Sequence, residues 1–235
     1  MDRPTSLYLD LIRFSAAAAV FMSHAGTAKF SGGLFWQLMP LGEEAVTVFF
    51  VLSGFVIGYA VHEREASART YAVSRLARVY SVAVPALVLT FILDRAGTMF
   101  QPSLYLPEHG YRPDGIASQM LQSLAFTNQF WSNHVQPGSN GPYWSLAFEV
   151  WYYVIFGLIA FAPRKWVIPG VMLILFCAGP RIAVLWPMWL LGLVAYYVCS
   201  KGPLGKKTGL LLWLASLVLL LAVVGPLRTR ANLYE

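Results

Sequence analysis

Long apolar segments dominate this chain of 235 residues and limit what it can fold into. Hydrophobic residues make up 57% of the chain and charged residues only 12%, which is about half the charged share of an average soluble domain. The charges are gathered between apolar runs, and most runs approach the ~20 residues that a helix needs to cross a bilayer. This pattern predicts an all-α, polytopic transmembrane helix bundle.

Hydropathy predicts about seven membrane spans in a single transmembrane domain that covers residues 1–235. The predicted spans are residues 7–25, 45–61, 79–93, 144–161, 167–178, 182–199 and 210–224. A long polar connection fills residues 94–143, and its part 116–130 has apolar residues at helical spacing. A connection of this length is expected to carry function or to be disordered.

The basic residues predict the orientation of the chain in the membrane. They are concentrated in alternate connections, at 62–78, 163–166 and 200–208. Because Lys and Arg in short connections favour the cytoplasm, a multi-pass protein of the cell membrane with a cytoplasmic N-terminus is expected, and residues 94–143 then lie outside. The net charge of +6 is therefore a topology signal rather than a sign of nucleic-acid binding. The two cysteines of the chain show no metal-ligand spacing.

The first span contains the ionisable side chains of Arg13 and His24, besides Asp10. They are eleven positions apart, almost three helical turns, so both lie on one face at a separation of roughly 16 Å. Ionisable groups inside a span are costly and indicate functional sites. The plainer alternative is that Arg13 extends to the headgroups while His24 lies at the opposite interface.

Three further residues near span ends are candidates. Arg75 and Arg78 are three residues apart at the entry to the third span. Two guanidinium groups there can bind a phosphorylated cosubstrate. The alternative is that they only set the membrane topology and contact anionic lipids. Glu149 lies about one turn inside the fourth span, at the predicted depth of His24. A contact between them would raise the basicity of the imidazole, whereas an unpaired Glu149 would be protonated.

Four motifs in order resemble the acyltransferase-3 family of membrane-bound O-acyltransferases. They are LDLIR at 9–13 with ten residues before His24, FFVLSGF at 49–55, RLARV at 75–79 and WSLAFE at 144–149. The resemblance implies an enzyme, an acyltransferase for groups other than aminoacyl groups. It implies transfer of an acyl group, commonly acetyl, from acyl-CoA to a hydroxyl of a sugar, glycan, glycolipid or small metabolite.

The resemblance also assigns roles to residues. His24 is the expected catalytic residue, with Arg13 as a second essential position and Arg75 and Arg78 as ligands of the CoA phosphates. Glu149, because of its predicted depth, is expected to orient His24. The expected partners are acyl-CoA as cosubstrate, preferentially acetyl-CoA, a hydroxyl-bearing acceptor and membrane lipid, with no permanently bound cofactor, no metal and no nucleic acid.

Family members usually have more spans, so the resemblance also implies that this domain is truncated at its C-terminus. Two other interpretations stay open at this point. One is a transporter-like carrier in which Arg13, His24 and Glu149 line a path. The other is an inactive relative that acts by binding.

Overall fold

The computed structural model of the protein describes residues 3–26, 32, 34, 36–107, 110–202, 205, 207–209, 211 and 214. These residues form helices joined by turns, and no strand occurs among them. The main helices are α1 (Arg3–Ala25), α2 (Leu41–Glu63), α3 (Ala68–Phe100), α4 (Ile116–Leu124), α5 (Trp144–Phe161), α6 (Arg164–Ala178) and α7 (Pro180–Ser200). The predicted all-α class is confirmed.

The chain divides into two compact units. The terminal unit comprises residues 1–55 and 192–235, and the central unit comprises residues 56–191. Helices α2 and α7 each run from one unit into the other. Arg13 and His24 belong to the terminal unit, whereas Arg75, Arg78 and Glu149 belong to the central unit.

Within the described residues, five helical segments are long and apolar enough to cross a membrane. They are Arg3–Ala25, Leu41–Glu63, Ala68–Phe100, Gly141–Phe161 and Pro180–Ser200. The predicted membrane bundle is confirmed, but the count of about seven spans is not. Helix α6 takes the place of the predicted span 167–178 and has 15 residues, which reach only ~22 Å of a ~30 Å hydrocarbon core. The predicted span 210–224 lies outside the described residues, apart from positions 211 and 214.

Helix α3 is longer than the sequence predicted. It has 33 residues, so its length is ~50 Å, and most of the stretch 62–78 that was assigned to a loop is helical. The Oγ atom of Ser67 accepts a hydrogen bond from the Thr70 N–H at 3.2 Å and caps the first turn. Buried residues recur every three or four positions along one narrow face: Tyr71, Arg75, Val79, Ala83, Leu87, Thr90 and Asp94. This buried face therefore carries one charged side chain near each end.

The polar connection after α3 is folded against the end of that helix. Asp94 is 2% exposed, and its carboxylate accepts hydrogen bonds from the Ser139 backbone N–H at 2.9 Å and from Ser139 Oγ at 2.5 Å. The Asn140 side chain donates to Thr90 Oγ1 at 3.0 Å. Gln119 of α4 accepts from the Gly138 N–H at 3.1 Å, and α4 lies within the helical segment predicted at 116–130. The connection is thus a structured cap on the central unit.

Candidate functional site

Arg13 and His24 lie on one continuous helix in the terminal unit, as the spacing predicted. The Arg13 Nη1 atom donates to Asp10 Oδ1 at 3.1 Å, and the Arg13 side chain is 32% exposed. His24 is exposed in the last turn of α1. The helix therefore presents a cation and an imidazole on the same face, about three turns apart.

The end of α1 packs closely on the start of α2. A Cβ atom at Gly42 would lie only 2.5 Å from the Ser23 Oγ atom, so the close approach needs glycine at this position. The Ser23 hydroxyl donates instead to the Val20 carbonyl at 2.8 Å. This contact fixes the helix turn that carries His24.

Glu44 lies two residues after Gly42, in the first turn of α2. Its Oε2 atom is buried and makes no hydrogen bond among the described residues. A buried carboxylate oxygen without a donor is costly, and groups of this kind are typical of functional sites. Glu44 belongs to no sequence motif, so only the burial of its Oε2 atom identifies it.

Arg75 lies at the centre of an aromatic and ionic cluster in the central unit. Its Nη2 atom donates to Glu65 Oε1 at 2.5 Å, and the two side chains are only 10% and 9% exposed. The guanidinium carbon lies 5.7 Å from the ring centroid of Tyr71 and 5.8 Å from that of Tyr153. Cation–π attraction to these two rings therefore adds to the ion pair in stabilising the Arg75 guanidinium group. Its Nε and Nη1 atoms make no hydrogen bond among the described residues.

The same cluster reaches Glu149. The Tyr153 hydroxyl donates a hydrogen bond to Glu149 Oε1, and the Tyr71 hydroxyl donates to the backbone carbonyl of Tyr153 at 2.9 Å. Two positions selected from separate sequence motifs are thereby joined through one tyrosine. We call the set Glu65, Tyr71, Arg75, Glu149 and Tyr153 the Arg75 cluster.

The structure separates the two predicted phosphate ligands. Arg75 is buried in the cluster, whereas Arg78, almost one turn further along α3, is exposed. A spacing of three residues leaves neighbouring side chains about 60° apart around a helix, and that angle places one on the buried face and the other outside. Of this pair, Arg78 is the cation that a soluble anion can reach.

An apolar groove of about 510 Å³ adjoins the cluster, a volume within the usual range of ligand sites. Helices α3 and α5 form its walls together with Ala125 and Phe126, and among the residues that the structure describes Arg75 is the only charged one in the lining. Gly157 of α5 lies so close to Tyr71 that an added Cβ atom would be 2.9 Å from the ring. The groove can hold an apolar arm of a ligand beside a buried cation.

Glu65 and His134 were also missed by sequence analysis. Glu65 lies within the connection 62–78 but outside every motif, so only its contact with Arg75 identifies it. His134 lies outside every motif as well, and its contacts with Gln129 and Arg181 identify it. His109 lies outside the described residues. Among the described residues, no group of three His, Cys, Asp or Glu side chains is placed to hold a metal ion.

Comparison with known proteins adds independent information. The family model described as "Acyltransferase domain" matches residues 6–229. Acyltransferase MdmB from Streptomyces mycarofaciens is 30% identical over 156 residues, which cover 63% of this chain and 37% of that relative. The match thus extends over little more than a third of the relative's length. No solved structure is similar enough to match.

The ion pair in the Arg75 cluster generates a stability prediction. Replacing Glu65 by Gln leaves Arg75 buried without its counter-ion, and breaking a buried pair from one side costs about 3–5 kcal/mol. We therefore expect a markedly lower melting temperature in thermal unfolding of the solubilised protein. Glu63→Gln is the matched control, because the Glu63 side chain is 51% exposed. Equal melting temperatures for the two variants would show that the pair does not hold the helices together.

Proposed function

This chain belongs to the acyltransferase-3 family of membrane-bound acyltransferases, and we propose that it transfers an acyl group from acyl-CoA to a hydroxyl of a sugar, glycan, glycolipid or small metabolite. Acetyl is the preferred group in this proposal, which makes the reaction an O-acetylation. The observation that carries it is the shared face of Arg13 and His24 on α1, in a chain whose residues 6–229 match the family model.

Acyl-CoA is proposed to dock at the end of the central unit where the basic residues lie. Arg64, Arg69, Arg164 and Lys165 are exposed at the ends of α2, α3 and α6 on that side. By the positive-inside tendency this side is proposed to face the cytoplasm, where acyl-CoA is available, and a cytoplasmic N-terminus is proposed on the same ground.

Arg75 and Arg78 are the proposed cosubstrate ligands, with unequal parts. Exposed Arg78 offers its guanidinium group to the CoA phosphates. Arg75 is fixed by Glu65 beside the apolar groove, where it supplies positive potential without leaving its partner. Arg13, in the terminal unit, is proposed to stabilise negative charge that develops during the transfer.

His24 is proposed as the general base. Its imidazole takes the proton of the acceptor hydroxyl as the oxygen attacks the thioester carbonyl, so that a C–O bond forms and the C–S bond breaks. The imidazolium then returns the proton to the departing CoA thiolate, and the products are an ester and free CoA. A transient acyl group on the imidazole is the covalent variant of this scheme. Glu149 and Glu44 are the two carboxylates proposed to support catalysis.

The test is transfer of radiolabelled acetyl from acetyl-CoA in membranes that contain the wild-type protein or the His24→Ala variant. Loss of the general base is expected to lower the rate by at least about 10²-fold. His62→Ala is the matched control, because His62 is an exposed histidine near the end of α2. Undiminished transfer by His24→Ala would overturn the proposal.

A second comparison tests the role given to Glu44. Glu44→Gln keeps the shape of the side chain but removes its charge, so the rate of acyl transfer is expected to fall about tenfold or more, in line with the loss of an orienting group for a general base. Glu43→Gln, one position earlier on α2, is expected to leave the rate within about twofold. If both variants match the wild type while His24→Ala is inactive, Glu44 has no part in catalysis.

A further inference from the structure

Three side chains form a polar platform at the end of the central unit opposite the exposed basic residues. Trp131 and His134 belong to the connection between α3 and α5, and Arg181 belongs to the first turn of α7. The ends of α3 and α6 and the starts of α5 and α7 meet at this side, as the order of the helices requires. We call these three residues the Trp131 platform.

The platform is built on a fixed backbone. The Trp131 N–H donates to the Ala178 carbonyl at 3.0 Å, and Trp131 has a φ of 51°, which is uncommon for a residue other than glycine. Gly179 opposite has a φ of 87°, and a Cβ there would lie 2.8 Å from the Trp131 backbone. Strain of this kind persists only where surrounding contacts hold it, and it is concentrated at binding sites.

Hydrogen bonds of buried and half-buried side chains hold the connection that carries Trp131 and His134. Asn128 is fully buried, its side chain donates to the Val135 carbonyl at 3.1 Å, and the Val135 N–H donates to the Asn128 carbonyl at 2.9 Å. The Trp151 indole N–H donates to the Phe126 carbonyl at 2.9 Å. The two hydrogen bonds between Asn128 and Val135 therefore fix the backbone next to His134.

Two side chains contact one ring nitrogen of His134. Gln129 Oε1 lies 3.0 Å from His134 Nδ1, while the Gln129 amide nitrogen faces the Val135 carbonyl at 3.4 Å. Nδ1 is therefore engaged by the protein, and Nε2 is the ring nitrogen that a ligand can contact. Arg181 Nη1 lies 3.1 Å from Nδ1 and donates to the Asn133 carbonyl at 3.3 Å. Partial burial of the ring, followed by the charge of Arg181, lowers the pKa of His134 and keeps the ring neutral.

The Nε2 atom of His134, near a cationic donor, is suited to a hydroxyl group, which can donate or accept at the ring nitrogen and accept from the guanidinium group. The indole of Trp131 is 50% exposed and offers a flat apolar face three residues before His134 in the same connection. From this arrangement we propose that the Trp131 platform binds the ring of a saccharide acceptor, with the ring on the indole and its hydroxyl groups at His134 Nε2 and the Arg181 guanidinium group. The inference rests on the proposed function and names its acceptor site.

The alternative role for Trp131 is that of an interfacial anchor in the lipid headgroups. Its ring makes an edge contact with exposed Phe176 of α6, with centroids 5.9 Å apart. An anchor has no need of a fixed imidazole and guanidinium beside it. The two roles differ in whether Trp131 affects binding of a free sugar, and this difference can be measured without acyl-CoA.

The test is saturation-transfer NMR on the full chain in lipid nanodiscs, free of glycoside detergent, with a panel of methyl glycosides of hexoses, 6-deoxyhexoses and amino sugars. We expect saturation of at least one glycoside by the wild type and about tenfold weaker binding to Trp131→Ala, in the range of a lost aromatic contact. Trp131→Phe is expected to retain most of the binding, and His134→Ala to weaken it.

Trp166→Ala is the matched control, because Trp166 is 58% exposed but lies at the basic end of the central unit. We expect it to bind glycosides like the wild type. The inference is overturned if no glycoside of the panel is saturated, or if Trp131→Ala and Trp166→Ala bind like the wild type or lose binding equally.

Binding and catalysis can fail separately. Glycoside binding that depends on Trp131, in a protein that transfers no acyl group, would refute the proposed function and retain the platform. Acyl transfer that depends on His24, with an acceptor KM unchanged in Trp131→Ala, would retain the function and refute the platform. If both inferences are right, Trp131→Ala raises the acceptor KM and leaves the acyl-CoA KM unchanged.

Discussion

A charged side chain on an apolar helix must find its partner inside the protein, and helix α3 meets this requirement twice. The buried face of α3 has Arg75 near its start and Asp94 near its end. The charge of Arg75 is balanced by Glu65 from the short connection before the helix. The carboxylate of Asp94 is stabilised by hydrogen bonds from Ser139 in the long connection after the helix. Both pairs tie a connection to the helix, so the two ends of the central unit are organised by the two charges of one helix face.

The two ends then acquire different chemistry. At the basic end, the guanidinium group of Arg75 contacts the rings of Tyr71 and Tyr153. The Tyr153 hydroxyl donates a hydrogen bond to Glu149 of α5. At the other end, the cap held by Asp94 carries Trp131 and His134 against the start of α7. The proposed donor and acceptor sites follow the same division.

Composition and hydropathy were sufficient to predict the helical membrane fold, since apolar segments of this length can satisfy their backbone groups in lipid only as helices or closed barrels. They were not sufficient for the ends of α3. Residues 68–78 include Arg69, Arg75 and Arg78, whose charges lower the average hydropathy, while the partner that neutralises Arg75 lies ten positions upstream. The spacing of Arg13 and His24 was predictable because it depends only on helix geometry. Contacts between segments that are distant in sequence cannot be read from a local motif. Such contacts determine the burial of the Glu44 Oε2 atom, the ion pair of Glu65 and the hydrogen bonds of His134.

Sealed vesicles of opposite orientation can test whether the acyl group is transferred across the membrane. Radiolabelled acetyl-CoA does not cross the bilayer, so it reaches the cytoplasmic face only in inside-out vesicles. We expect that glycans or lipids enclosed in inside-out vesicles become labelled, and that sealed right-side-out vesicles do not label their acceptors until they are permeabilised. Labelling of sealed right-side-out vesicles as strong as that of inside-out vesicles would contradict a donor site at the basic end of the central unit.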